Sequence, residues 1–136
     1  VASRALADTS GLLAVAHPKD QFHAQAVETA RQFVRTGGRF LVTPLVLAEL
    51  QGLLLYRRSA EAARKVINAM MTDPLYQLVS VDHRLVGDAV ANWLERFRDQ
   101  PFTLCDAVSF EVMRRERVTT AFAYDQHFLT AGFRRL

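Results

Sequence analysis

The sequence is short of cysteine, lysine and long apolar runs, and each shortage excludes something. The lone thiol, Cys105, rules out an intramolecular disulfide framework and any zinc site built from several cysteines, as expected of a chain kept in a reducing compartment. No stretch stays apolar for the roughly 18 residues a membrane span requires, and "VASRALADTS" lacks the basic start, apolar run and cleavage site of a signal peptide. These absences point to a cytoplasmic protein without a membrane partner. The first residue is not Met, so the expectation is that a few natural N-terminal residues are missing or renumbered. Only Lys19 and Lys65 are lysines; the other basic residues are arginines, grouped at Arg57-Arg58, Arg114-Arg115 with Arg117, and Arg134-Arg135. Arginine's planar fork suits phosphate, although such groups more often mark a solvated helix face.

What is present reads as one domain, 1–136. At 136 residues, half of them hydrophobic and 23% charged, the chain is long enough to bury roughly two-thirds of its unfolded surface and too apolar to be disordered. Four prolines and six glycines are scattered as punctuation, with no linker, repeat or low-complexity tract. Residues 4–7 read as a short buried strand entering a "DTSG" turn, and 20–36 as a helix with Phe22, Ala26, Ala30 and Phe33 along one stripe. Gly37-Gly38 ends it, and "RFLVT" (39–43) is the next strand. A helix capped by Thr43 with Pro44 at its first position runs towards Tyr56, another follows Ser59, and "QLVSV" (77–81) is the third strand. Residues 83–98 form an amphipathic helix that makes Trp93 a core residue, "TLCD" opens a helix to about Glu116, and "TTAFAY" (119–124) is the final strand. This alternation predicts a parallel sheet covered by helices on both faces, with ligands at the carboxyl ends of the strands.

Four carboxylates then stand out. Asp8 and Asp125 end the first and last strands, and Asp106 lies in the first turn of the helix before Asp125. Glu49, with Leu45, Val46, Gly52 and Leu53 three and four residues away, is expected to project from the buried face of its helix. Each has a local alternative. Asp8 would make an Asx turn, Asp106 a capping box with Thr103, Asp125 a cap for "QHFLTAG", and Glu49 an ion pair with a buried arginine. If all four converge instead, carboxylates about 5 Å apart repel by roughly 3 kcal/mol per pair at an effective dielectric near 20, and a divalent cation relieves them. Oxygen-only ligands favour Mg2+ or Mn2+ over zinc, and such an ion would activate water towards a phosphodiester.

Other chemistries find less support. His17, His23, His83 and His127 show no metal-ligand spacing, and neither GxGxxG nor GxxxxGK[ST] occurs. Ser10 lacks a nucleophile elbow and reads as a supporting partner of the acids, while Cys105 reads as a packed thiol.

"ADTSGLLAVA", "TPLVLAEL", "TLCDAVSFEVMRRERV" and "TAFAYDQHF", in that order and spacing, resemble a PIN domain, in particular the bacterial toxins of the virulence-associated protein C (VapC) kind. The resemblance covers nearly the whole chain. It implies a three-layer α/β/α sandwich and an acidic site that binds Mg2+ or Mn2+ and hydrolyses RNA to 5′-phosphate and 3′-hydroxyl ends. Asp8, Glu49, Asp106 and Asp125 match the family's acidic positions, and Ser10 its small hydroxyl residue. Ala123 departs from the pattern, since many members carry Thr or Ser there.

The expectation is therefore a metal-dependent endoribonuclease, the toxin of a type II toxin-antitoxin pair. Asp8 and Asp106 would be primary metal ligands, Asp125 would complete the shell directly or through water, and Glu49 would orient the attacking water. The resemblance also implies a cognate antitoxin over the site and a homodimer. Two rivals are a DNA or 5′-flap nuclease on the same acids, and an inactive PIN-fold module that binds RNA or protein through its arginines.

Overall fold

The computed structural model describes residues 3–136, so Val1 and Ala2 of the expected domain lie outside the described residues. Five strands run in parallel in the order β3-β2-β1-β4-β5: β1 Arg4–Ala7, β2 Arg39–Val42, β3 Tyr76–Leu78, β4 Thr120–Phe122 and β5 Arg134–Arg135. Seven helices connect them: α1 Thr9–Ala16, α2 His23–Arg35, α3 Pro44–Arg57, α4 Ala60–Thr72, α5 His83–Ala89, α6 Leu104–Glu116 and α7 His127–Thr130. The expected α/β/α sandwich is the observed architecture.

Side-chain alternation along the strands divides the core in two. Ala5, Ala7, Phe40, Val42 and Phe122 face one way, onto α1 to α4; Leu6, Leu41, Ala121 and Ala123 face the other, onto α5 to α7. Strand order reverses between β1 and β4. The chain leaving β1 turns onto one face of the sheet through α1, and the chain leaving β4 turns onto the other through α7. A crevice opens between their carboxyl ends, the usual ligand position in such sheets.

Several expectations need correction. Thr9, Ser10 and Gly11 form no turn; they are the first turn of α1, capped by Asp8. Gly11 allows this helix to lie against β4, because a Cβ there would fall 2.3 Å from the Phe122 carbonyl oxygen. The third strand begins one residue earlier and is shorter than 77–81, as an edge strand paired only to β2, although Val79 still donates to the Val42 carbonyl. β4 is not the last strand: the chain returns through α7 to add the two-residue β5. The helix expected over 83–98 keeps its α form only to Ala89, then widens into a π-helical turn over Val90–Glu95. The Asp82 cap was not anticipated, whereas the Thr43 and Ser59 caps were.

Candidate metal-dependent nuclease site

A cavity of about 210 Å³ occupies the crevice, and Asp8, Glu49, Asp106 and Asp125 all line it, together with Ser10 and Thr103. Four separate segments deliver them: the cap of α1, the middle of α3, the first turn of α6 and the loop after β4. Among the described residues, no lysine or arginine lies within 4.0 Å of these carboxylates, so the arginine partner considered for Glu49 does not exist there.

Each aspartate is oriented by local hydrogen bonds. Asp8 Oδ2 accepts from the Ser10 Oγ (2.6 Å) and amide (3.2 Å). Ser10 Oγ in turn accepts from the Tyr124 amide at 2.9 Å, tying α1 to the chain just before Asp125. Asp106 Oδ2 accepts from the Thr103 amide (3.0 Å), completing the capping box, and Asp125 Oδ1 accepts from the His127 amide (2.8 Å). The local alternatives raised for the three aspartates are thus real interactions, but they coexist with convergence. The recorded bonds of Asp8 and of Asp106 each fall on a single oxygen.

The cluster carries electrostatic strain. Burial pushes the Asp8 carboxyl up; hydrogen bonds from Ser10 oppose this, the charges of Asp106 and Asp125 add to it, and the result is about 6. The Cys105 thiol is pushed up to about 12, first by burial and then by Glu49, Asp8 and Asp106, so it is an inert packed thiol. Thr9, which lines the same cavity, opposes part of this rise through its hydroxyl beside the thiol.

Glu49 differs from its expected setting. It is exposed, because the buried stripe of α3 is Val46, Leu50 and Leu54, one turn apart, and Glu49 lies beside that stripe at the rim of the cavity. Its reason for being there is access, not burial.

His127 was passed over in the sequence. Its Nδ1 lies 2.8 Å from Asp106 Oδ2 and 3.4 Å from Asp125 Oδ1, and potential ligand atoms of the three residues fall within 4.8 Å of one another. An ionised carboxylate only accepts, so Nδ1 carries the proton and donates to Asp106. His127 is not among the residues lining the cavity, and the side-chain donors that do line it are oxygens, suited to a hard divalent cation. The only signal in the sequence was the close D-x-H spacing, which resembles no general ligand motif.

The arginine groups also separate. Arg114 and Arg115 are bound to Glu111 and Asp88, so these two are structural and not spare phosphate ligands.

No protein-family model matches the chain. Over 80 residues it is 32% identical to the 23S rRNA-specific endonuclease VapC20 of two Mycobacterium tuberculosis strains, CDC 1551/Oshkosh and H37Rv. The aligned segment is 59% of this chain and spans 60% of the length of that relative. The crystal structure of M. tuberculosis VapC20, described as a sarcin-ricin loop cleaving toxin, superposes with a TM-score of 0.84 at 28% identity, covering 96% of both chains. VapBC2 from Rickettsia felis, bound to a DNA fragment from its promoter, superposes with a TM-score of 0.66 at 12% identity over 98% of this chain and 97% of that one, which is a likeness of fold. The ordered motifs, the strand-order reversal and the end-to-end superposition on VapC20 agree, and the chain is similar in sequence and fold to VapC-like PIN-domain proteins.

Proposed function

We propose that this chain is a divalent-metal-dependent endoribonuclease, one nuclease domain over residues 1–136, acting as the toxin of a toxin-antitoxin pair. One observation carries the reading: four carboxylates from four segments line one cavity, and among the described residues no lysine or arginine lies within ion-pair distance to neutralise them. The oxygen donor set and the raised Asp8 carboxyl suit Mg2+ or Mn2+. Asp8 and Asp106 would hold the ion, with Asp125 completing the set directly or through water. When bound, it supplies Lewis-acid polarisation of the phosphodiester and lowers the pKa of water.

The chain's own residues supply position and proton transfer. Ser10 fixes Asp8, while Thr103 and His127 fix Asp106, so these acids meet the substrate already oriented. Glu49, on the open rim, orients the attacking water and accepts its proton. The water oxygen bonds to phosphorus in line, the bond from phosphorus to the 3′ oxygen breaks, and that oxygen takes up a proton, leaving 3′-hydroxyl and 5′-phosphate ends.

The named activity of VapC20 supports RNA as substrate, and the VapBC2 assembly supports a cognate antitoxin; we extend both to this chain, with a homodimer as its working form. No helix among the described residues is long and apolar enough to cross a membrane, in keeping with a cytoplasmic site of action. The test is cleavage of single-stranded RNA with and without Mg2+ by wild type and Asp8→Asn. Mg2+-dependent cutting lost in the variant is expected. Metal-independent cutting or full activity in the variant overturns the mechanism, equal cutting of single-stranded DNA moves the assignment to a DNA nuclease, and RNA binding without cutting moves it to a binding module.

A further inference from the structure

A second cavity, of about 270 Å³, adjoins the acidic one and shares Ser10 and Asp125 with it. Its other walls include Asp20, Phe22 and Tyr124. The Phe22 and Tyr124 rings stack, with centroids 4.5 Å apart and planes inclined by 6°. Both are half-buried, so the pair is braced by the core yet reaches the cavity. Asp20 Oδ1 accepts from the Phe22 amide at 2.9 Å, and no bond from the described residues is recorded on its Oδ2. Arg135 completes the surroundings. Its guanidinium carbon lies 5.8 Å from the centre of the Tyr124 ring, its Nε donates to the Ala123 carbonyl at 2.9 Å, and among the described residues no carboxylate lies within ion-pair distance. The terminal nitrogens of an otherwise tethered arginine are thus left for an anion.

We propose that this cavity is a subsite for one unpaired RNA base flanking the scissile phosphate, packed against the Phe22–Tyr124 pair and read by Asp20, with Arg135 holding a neighbouring phosphate. The proposal rests on the ribonuclease reading of the acidic site and specifies the substrate beside it. Continuity of the two cavities places the base next to the reacting phosphate, and flat aromatic walls are how proteins receive splayed single-stranded bases. A carboxylate oxygen only accepts, so Asp20 selects guanine, whose ring N–H and exocyclic amine are two adjacent donors, over adenine, cytosine and uracil, whose donor sits beside an acceptor that the carboxylate repels.

The sign of the selection can be inverted. Asp20→Asn keeps a carbonyl oxygen for the Phe22 amide, which forces the new NH2 into the place of Oδ2, where it meets the two guanine donors with a donor of its own. Mapping of 5′-phosphate ends from a randomised single-stranded RNA pool should show guanine enriched at one fixed position beside the cut by about tenfold, the worth of one hydrogen bond. Asp20→Asn should deplete guanine at that position and leave the preference at every other position as it is in the wild type. Phe22→Leu should flatten the preference, and Arg135→Ala should raise KM by about tenfold with kcat unchanged. Unaltered preference in Asp20→Asn, or a loss spread evenly over all positions, overturns the proposal. Binding of short oligonucleotides differing in one base, measured by fluorescence anisotropy on Asp8→Asn protein, separates the two readings. If wild type cuts nothing with Mg2+ while Asp20 still sets base preference in binding, the nuclease reading fails and the subsite stands; binding indifferent to Asp20 removes the subsite.

Discussion

Two groups of carboxylates lie on this fold, and they meet opposite fates. Glu111 on α6 is wholly buried, and protein donors saturate it: Asn92 and Trp93 Nε1 each donate to Oε1 at 3.1 Å, Arg114 Nε does the same, and Arg115 Nε donates to Oε2 at 3.1 Å. Burial pushes its carboxyl up, but the bonds from Arg114, Asn92, Trp93 and Arg115 outweigh it and hold Glu111 at about 2. Asp8 is nearly as buried and is held at about 6, with a serine and not a guanidinium beside it. A buried acid completed by its own chain serves the architecture, whereas one left short of positive charge is a place for something the chain does not supply.

Deleting charge should separate the two groups most strongly. Glu111→Gln takes from Arg114 its counter-charge and from Arg115 one of two, Asp88 remaining, and should destabilise the protein by about 3 kcal/mol in urea unfolding. Asp8→Asn in metal-free protein should be neutral or stabilising. Equal destabilisation by both would break the comparison.

The next effect is in pH. Asp8 is raised above its ordinary 3.8, so the folded state holds its proton longer. Metal-free stability should then fall as pH rises from about 4 through 6, by up to about 3 kcal/mol. Glu111 is lowered, so its contribution is present above its ordinary 4.5 and is lost as pH falls towards 2. Thermal melts of Asp8→Asn should lack the upper slope and keep the lower one.

Adding Mg2+ at neutral pH should stabilise wild type by about 2.7 kcal/mol at a hundredfold excess over its dissociation constant. Asp106→Asn should forfeit that increment, while a melt of Glu111→Gln should show it undiminished on a lower baseline. The smallest stability effect belongs to Glu49→Gln, within about 0.5 kcal/mol, since the side chain is exposed. RNA cleavage by that variant should nevertheless fall steeply, so a variant that melts normally and cuts normally would remove Glu49 from the site.

The same contrast explains what the sequence could and could not disclose. Asp8, Asp106 and Asp125 were legible because strand ends and helix caps are local patterns, and the alternation of elements says which end of the sheet they share. The setting of Glu49 was misjudged because α3 is apolar nearly all round, "LVLAELQGLLL", so helical spacing does not single out its buried stripe. Glu111 escaped notice for the converse reason: with Arg114 and Arg115 at i+3 and i+4, "FEVMRRE" looks like a solvated surface ladder. Its partners Asn92 and Trp93 come from the π-helical turn, whose wider spacing an α-helical reading of 83–98 does not anticipate. His127 depends on a contact across 21 positions, and β5 is too short to carry a strand pattern.

The hydroxyl of Ser10 joins Asp8 to the Tyr124 amide across 114 positions of sequence. Ribosomes make one end of that bond early in translation and the other near the close of it. Until residue 125 has cleared the exit tunnel, the nascent polypeptide lacks both the last aspartate and the amide that Ser10 engages, so the acidic cavity is among the last features of the fold to close.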